Sequence, residues 1–186
     1  MRYLLRFAML LAAASGLAVF IVGALAAEGA LHPARDRIAL VCPCMANETC
    51  TDAEVAGPDG AKLRAWYYLP KETPKGTVIV LHGIGASRNN MVAFASFLLK
   101  NGYGALVPDN RGHGTSEGQV TYGLREAGDV RAWANWLVRD KGVERLYGFG
   151  SSLGGSVLLS SLAEESRFRA VVAESAYSDF PAIGYE

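Results

Sequence analysis

In the stretch YGFGSSLGGS, residues 147–156, Ser152 sits at the centre of the pattern G-x-S-x-G, with Gly150 and Gly154 two positions away on either side. Ser151 does not fit the pattern, because Phe149 and Leu153 occupy its glycine positions. A serine held this way suits nucleophilic attack. A sharp strand-to-helix turn strains its backbone, admits only small neighbours, and lifts the hydroxyl to a helix N-terminus whose free N–H groups favour negative charge. A dinucleotide-binding turn competes for the same residues. Gly148, Gly150 and Gly154 give G-x-G-x-x-x-G, and Glu174 follows about 20 residues on. Against it, Leu153 holds the last glycine position of the usual fingerprint, and the turn follows a late strand instead of the first. The plain structural alternative is a glycine-serine connection with no chemistry.

A second stretch, His82-Gly83-Ile84-Gly85, follows the β-branched run TVIVL at 77–81. Its glycines let the backbone turn closely, so that a main-chain N–H there can pair with the N–H after the serine to hold an oxyanion. Three histidines, His32, His82 and His113, are present, and all precede Ser152.

The elements that must position these groups read as alternating strands and helices. KLRAWYYLP follows the turn signal PDG at 58–60 and alternates as a strand, and TVIVL reads as a strand buried on both faces. NNMVAFASFLLKNG predicts a helix capped by Asn89 or Asn90 and stopped at Gly102, and YGALVP the next strand. Between Tyr122 and Asp140, Val130, Ala134, Leu137 and Trp133 mark one helix face. VERLYGFG, LGGSVLLSSLAEE and FRAVVAES then read as strand, helix and strand. This alternation predicts an α/β fold, a doubly wound and mostly parallel sheet with right-handed crossovers, over residues 61–186.

Upstream, residues 28–60 read as a linker containing the cysteine cluster VCPCMANETC. In an oxidising compartment Cys42, Cys44 and Cys50 suit a loop disulfide such as Cys44–Cys50, with one thiol left over. Zinc needs a fourth ligand, for which His32 is a weak candidate, so neither metal nor cofactor is expected. Residues 1–27 read as a transmembrane anchor or a signal peptide. Arg2 and Arg6 precede an uncharged run from Phe7 to Ala27, long enough to cross a bilayer, and ALAAEGA offers small residues for cleavage. The length favours the retained anchor. With its arginines held in the cytoplasm, the remainder lies outside it, anchored or exported. Lysine plus arginine equals aspartate plus glutamate, 18 against 18, which leaves no electrostatic footprint for nucleic acid.

Taken in order and spacing, VLHGIGAS, VPDNRGHGTSEG and GFGSSLGGS resemble the α/β-hydrolase superfamily, in particular its lysophospholipase-like and serine-aminopeptidase-like members. The likeness runs from about Ala61 to Glu186. It implies a serine hydrolase acting on a small-molecule, lipid or peptide acyl substrate. Ser152 becomes the nucleophile, and the N–H groups of Ile84 and Leu153 the oxyanion donors. The loop from Asp109 to Ser116 then shapes the site's surroundings, with His113 structural and His82 supporting the oxyanion turn. In that superfamily an acid and then a histidine follow the serine. No histidine follows Ser152. The expectation is therefore an incomplete hydrolase domain, its C-terminal strands and helices missing and its acid and base beyond Glu186, close to inactive by itself. Asp179 is an alternative acid, and a non-catalytic binding or scaffold protein is the alternative function. The oligomeric state is left open.

Overall fold

The computed structural model describes residues 2–35, 42–43 and 48–177. The chain forms two compact units, Met1–His32 and Pro33–Glu186. The first is a single helix, α1 (Arg2–Leu31), which continues four residues past the uncharged run. The His32 N–H closes it on the Glu28 carbonyl at 2.9 Å, and Pro33, which has no N–H to donate, follows. Leu5–Leu31 is long and apolar enough to cross a membrane, and none of it is buried. At 1.5 Å per residue these residues reach about 40 Å, more than a hydrocarbon core of about 30 Å.

Among the described residues the second unit has six strands: β1 (Glu48–Ala56), β2 (Lys62–Pro70), β3 (Thr77–Leu81), β4 (Gly104–Pro108), β5 (Leu146–Ser151) and β6 (Phe168–Glu174). Their spatial order is β1-β2-β4-β3-β5-β6. β3 pairs in parallel with β4 and β5, and β5 with β6, whereas β2 runs antiparallel to β1 and β4. The helices are α2 (Val92–Lys100), α3 (Glu126–Asn135) and α4 (Leu153–Ser161). A 3₁₀ turn, Arg88–Met91, leads into α2, and a π-helical turn, Trp136–Asp140, ends α3.

The unbroken apolar run of β3 has the expected cause. Ile79 and Leu81 pack on one face of the sheet with Val130, Trp133, Ala134 and Leu137, the residues whose spacing marked a helix face. Val78 and Val80 pack on the other with Trp66, Tyr68, Ala95, Leu98 and Leu99. A strand covered on both sides has no polar face to offer, hence no alternation.

Three expectations change. Residues 48–56, read as linker, form β1, registered against β2 from Glu48↔Pro70 to Ala56↔Lys62. ETCTDAEVA has β-branched Thr49, Thr51 and Val55 but no aromatic residue and no apolar run, so it gives no strong strand signal. Its pairing is dictated by β2 and by the 57–61 turn, where Gly60 takes φ 82° and the Gly57 N–H reaches the Ala61 carbonyl at 2.8 Å. The disulfide joins Cys42 to Cys50, with Cα atoms 6.0 Å apart, in place of Cys44–Cys50. Cys42 is buried with Trp66 and Tyr68, so the bridge fastens Cys42 onto the sheet, while Cys44 lies outside the described residues. The turn before α2 is closed by Ser87, whose N–H donates to Asn90 Oδ1 at 2.9 Å, so Asn90 acts as the partner of the cap and not as the cap.

Candidate active site

Strand β5 ends and α4 begins within two residues, and Ser152 is the junction, with φ 51° and ψ −119°. Among described non-glycine residues only Tyr122 and Ser175 share a positive φ. The neighbouring glycines are obligatory on steric grounds. A Cβ on Gly150 would lie 2.3 Å from the Gly154 carbonyl oxygen, and one on Gly154 would lie 2.5 Å from that of Leu81. Both contacts are far inside van der Waals distance. The close approach they permit is therefore taken up by the protein's own backbone, with α4 seated against the end of β3. That leaves no open cradle of the kind a dinucleotide-binding turn needs. The Ser152 N–H is spent on the Glu174 carbonyl at 2.8 Å, which ties the turn to the end of β6.

The second stretch stands directly opposite. A Cβ built on Gly83 would come within 3.3 Å of the Ser152 Cβ and 3.9 Å of its Oγ, so a glycine lets the 83–86 turn pass this near the hydroxyl without crowding it. Leu153 is buried as the first residue of α4, and Ile84 is about half exposed beside Gly83. Among the described residues neither the Ile84 nor the Leu153 N–H has an acceptor. The fold thus places Ser152, the Gly83 turn and the start of α4 at the carboxyl end of the parallel strands, where open α/β sheets hold their ligands.

The two histidines of this unit are fully engaged. His82 Nδ1 lies 2.7 Å from the Gly83 carbonyl, and its Nε2 accepts the Asn110 N–H at 3.0 Å. His113 Nδ1 lies 3.0 Å from the Arg111 carbonyl, and its Nε2 accepts the Gly85 N–H at 3.1 Å. A carbonyl only accepts and an amide N–H only donates, so each ring carries its single proton on Nδ1 and is neutral. Burial pushes both imidazoles down, His82 to about 4. Neither ring has a nitrogen left to take a proton from Ser152.

The loop after β4 supplies the supporting frame. Asp109 Oδ1 accepts the Arg88 N–H at 2.9 Å and Oδ2 the Thr115 N–H at 3.0 Å, while the Arg88 guanidinium lies 4.5 Å over the Trp66 ring. Arg35 donates to the carbonyls of Gly114 and Ser116. Arg111, fully buried, reaches Asp129 at 2.6 and 2.7 Å and Asp59 at 2.9 and 3.2 Å. The Asp129 hydrogen bonds hold its guanidinium firmly charged, and Arg111 in turn holds the Asp59 carboxyl well below the usual range. The sequence reading missed Arg35, Asp59 and Asp129. Asp59 carries a signal only as part of the turn PDG. Asp179 lies outside the described residues, and His32 belongs to the α1 unit. Among the described residues no cluster of metal-ligating side chains occurs.

A mostly parallel, doubly wound sheet with a strained serine between its fifth strand and the following helix defines a protein of the α/β-hydrolase class. The sequence profile of the alpha/beta hydrolase fold family matches residues 76–185, and the chain belongs to that family. It is 29% identical over 125 residues to the quorum-quenching protein AidA of Acinetobacter baumannii (strain MDR-ZJ06), covering 63% of this chain and 41% of that one. The polyketide transferase ATR5 of Stachybotrys chlorohalonatus (strain IBT 40285) is 30% identical over 142 residues, covering 73% and 48%. The solved esterase Pf2001 of Pyrococcus furiosus superposes with a TM-score of 0.70 at 32% identity, covering 78% of this chain and 58% of that one. The chain spans about half the length of the curated relatives it matches.

Proposed function

We propose that this protein is a serine hydrolase in which Ser152 attacks an ester, thioester or amide carbonyl and carries the acyl group as a covalent intermediate. The N–H groups of Ile84 and Leu153 receive the oxyanion. The observation that carries the reading is the backbone of Ser152, held at φ 51° on the strand-to-helix turn and facing Gly83. Strain of this kind persists only where the surroundings impose it, and it aims the hydroxyl away from the sheet. Both rings of this unit are engaged, so neither His82 nor His113 serves as the base. Helix α1 serves as a retained anchor, Arg2 and Arg6 on the cytoplasmic side and the hydrolase unit outside.

The similarity to an esterase favours esters among the three acyl classes. A second reading, a non-catalytic binding protein on the same fold, draws on the engagement of His82 and His113. Labelling separates the two. The protein expressed from its complete reading frame should take up one fluorophosphonate per chain, on the peptide containing Ser152, and lose that labelling in Ser152→Ala. Labelling that persists in the variant sinks the nucleophile assignment, and no labelling of the parent favours the binding protein.

A further inference from the structure

The turn that would hold the oxyanion has little rigidity of its own. Two of its four residues are glycines, Gly85 sits at φ 69° with nothing within 4 Å of where a side chain would begin, and its internal hydrogen bond, Ala86 N–H to the Gly83 carbonyl, is long at 3.4 Å. It is held from outside. His82 Nδ1–H grips the Gly83 carbonyl at 2.7 Å, and His113 Nε2 takes the Gly85 N–H at 3.1 Å, so the peptide groups flanking Ile84 are fixed one on each side. His82 is the immediate chain neighbour of the turn. His113 comes from the loop after β4, and is the tie from a different part of the chain.

We infer that His113 is a positioning residue of the oxyanion turn, holding the Ile84–Gly85 peptide, and that its imidazole must be neutral for the turn to present the Ile84 N–H, which makes acyl transfer acid-sensitive at this ring. The inference rests on Ser152 being the nucleophile. With its proton on Nδ1 and directed at the Arg111 carbonyl, the ring offers Nε2 as an acceptor. A second proton turns Nε2 into a donor facing the Gly85 N–H, and two donors cannot share a hydrogen bond. The ring is fully buried, so no water is at hand to relieve the conflict. Asp109 and Glu126 favour the charged ring, Arg35 opposes it, and His82, 5.0 Å away ring to ring, is the other titratable neighbour. Burial outweighs the two carboxylates and leaves the pKa below its ordinary value, so the turn is intact at neutral pH and released on the acid side.

Loss of one oxyanion donor costs on the order of 10²–10³ in rate. The experiment follows hydrolysis of p-nitrophenyl butyrate by the protein from its complete reading frame, as wild type, His113→Phe and His113→Gln. His113→Phe removes the acceptor and should lower kcat about 100-fold with KM within twofold. His113→Gln replaces the acceptor with an amide oxygen that does not titrate, and should recover most of kcat. In wild type, log kcat on the acid limb should steepen toward a slope of 2 over the roughly 100-fold that the oxyanion donor supplies, one proton for the triad base and one for His113. In His113→Gln the slope should be 1. A merely structural histidine would not move this slope. Equal slopes in wild type and His113→Gln overturn the inference, whether or not His113→Phe folds, and so does a folded His113→Phe with kcat within twofold of wild type. Hydrolysis that survives Ser152→Ala overturns the serine reading itself and the role of His113 with it.

Discussion

Ser152 concentrates the conformational cost of the site in one residue. A non-glycine held at φ 51° and ψ −119° costs on the order of 1–3 kcal/mol, and glycine adopts the same angles freely. Replacing it by glycine also gives the unfolded chain more freedom, which costs about 0.5–1 kcal/mol. The strain is the larger quantity. Ser152→Gly should therefore raise stability by about 1 kcal/mol, read as a higher urea midpoint with unchanged slope, while Ser152→Ala, which keeps a Cβ, should show no such gain. The packing supports the sign, because the Gly83 turn lies against the serine Cβ and little volume is vacated. A glycine variant less stable than wild type would show that the surroundings do not force the turn. Stability gained together with labelling lost is the pattern of a site maintained for chemistry.

Besides the apolar core they share, the elements around the site are tied to the loop after β4 by charge. Arg111, on the loop after β4, reaches Asp59 in the β1–β2 turn and Asp129 on α3, so one guanidinium links three segments. The pair with Asp129 is buried on both sides, at 1% and 8% exposure, whereas Arg131–Glu164 is exposed at 47% and 65%. Burial decides the difference. Breaking a buried pair by removing one partner costs about 3–5 kcal/mol because the other charge is left unpaired, while an exposed pair contributes about 0–1 kcal/mol. Arg111→Met should thus lower unfolding free energy in urea by about 3–5 kcal/mol, and adding Asp129→Leu should recover most of that, whereas Arg131→Met should change it by less than about 1 kcal/mol. An Arg111→Met loss no larger than that of Arg131→Met would refute the linking role. These connections also mark where the sequence stops being readable. The β3 run, the α3 face and the G-x-S-x-G turn declare themselves because their signals are local, a few residues of periodicity or spacing. Arg111 meets Asp59 across 52 positions, Cys42 selects Cys50 through the geometry of the sheet, and β1 is a strand because β2 pairs with it. The structural role of His113 and the support of the oxyanion turn by His82 were legible only through the family resemblance. Their tautomers needed the backbone groups that three-dimensional packing brings to each ring.

At the scale of the whole molecule, equal numbers of acidic and basic residues, 18 of each, mean that near neutral pH no large net charge pushes the fold apart. Sensitivity to mild acid then falls to groups that titrate differently in the folded and unfolded chain. His82 is the clearest. Burial lowers its pKa to about 4, against an unfolded value of about 6.5. The unfolded chain takes up a proton that the folded one refuses, so the stability present above pH about 6.5 is lost progressively as pH falls toward 4. At about 1.4 kcal/mol per pH unit across this window, the loss between pH 6.5 and 5 is about 2 kcal/mol from His82 alone. His113, also lowered by burial, acts in the same direction, and each ring resists a charge on the other at 5.0 Å. Urea unfolding followed by the fluorescence of Trp66, Trp133 and Trp136, all in the hydrolase unit, should show this fall between pH 7 and pH 5. His82→Gln keeps an acceptor for the Asn110 N–H and cannot titrate, so its stability should change by about 2 kcal/mol less over the same interval. Equal pH dependence in the two proteins would place the acid-sensitive proton elsewhere.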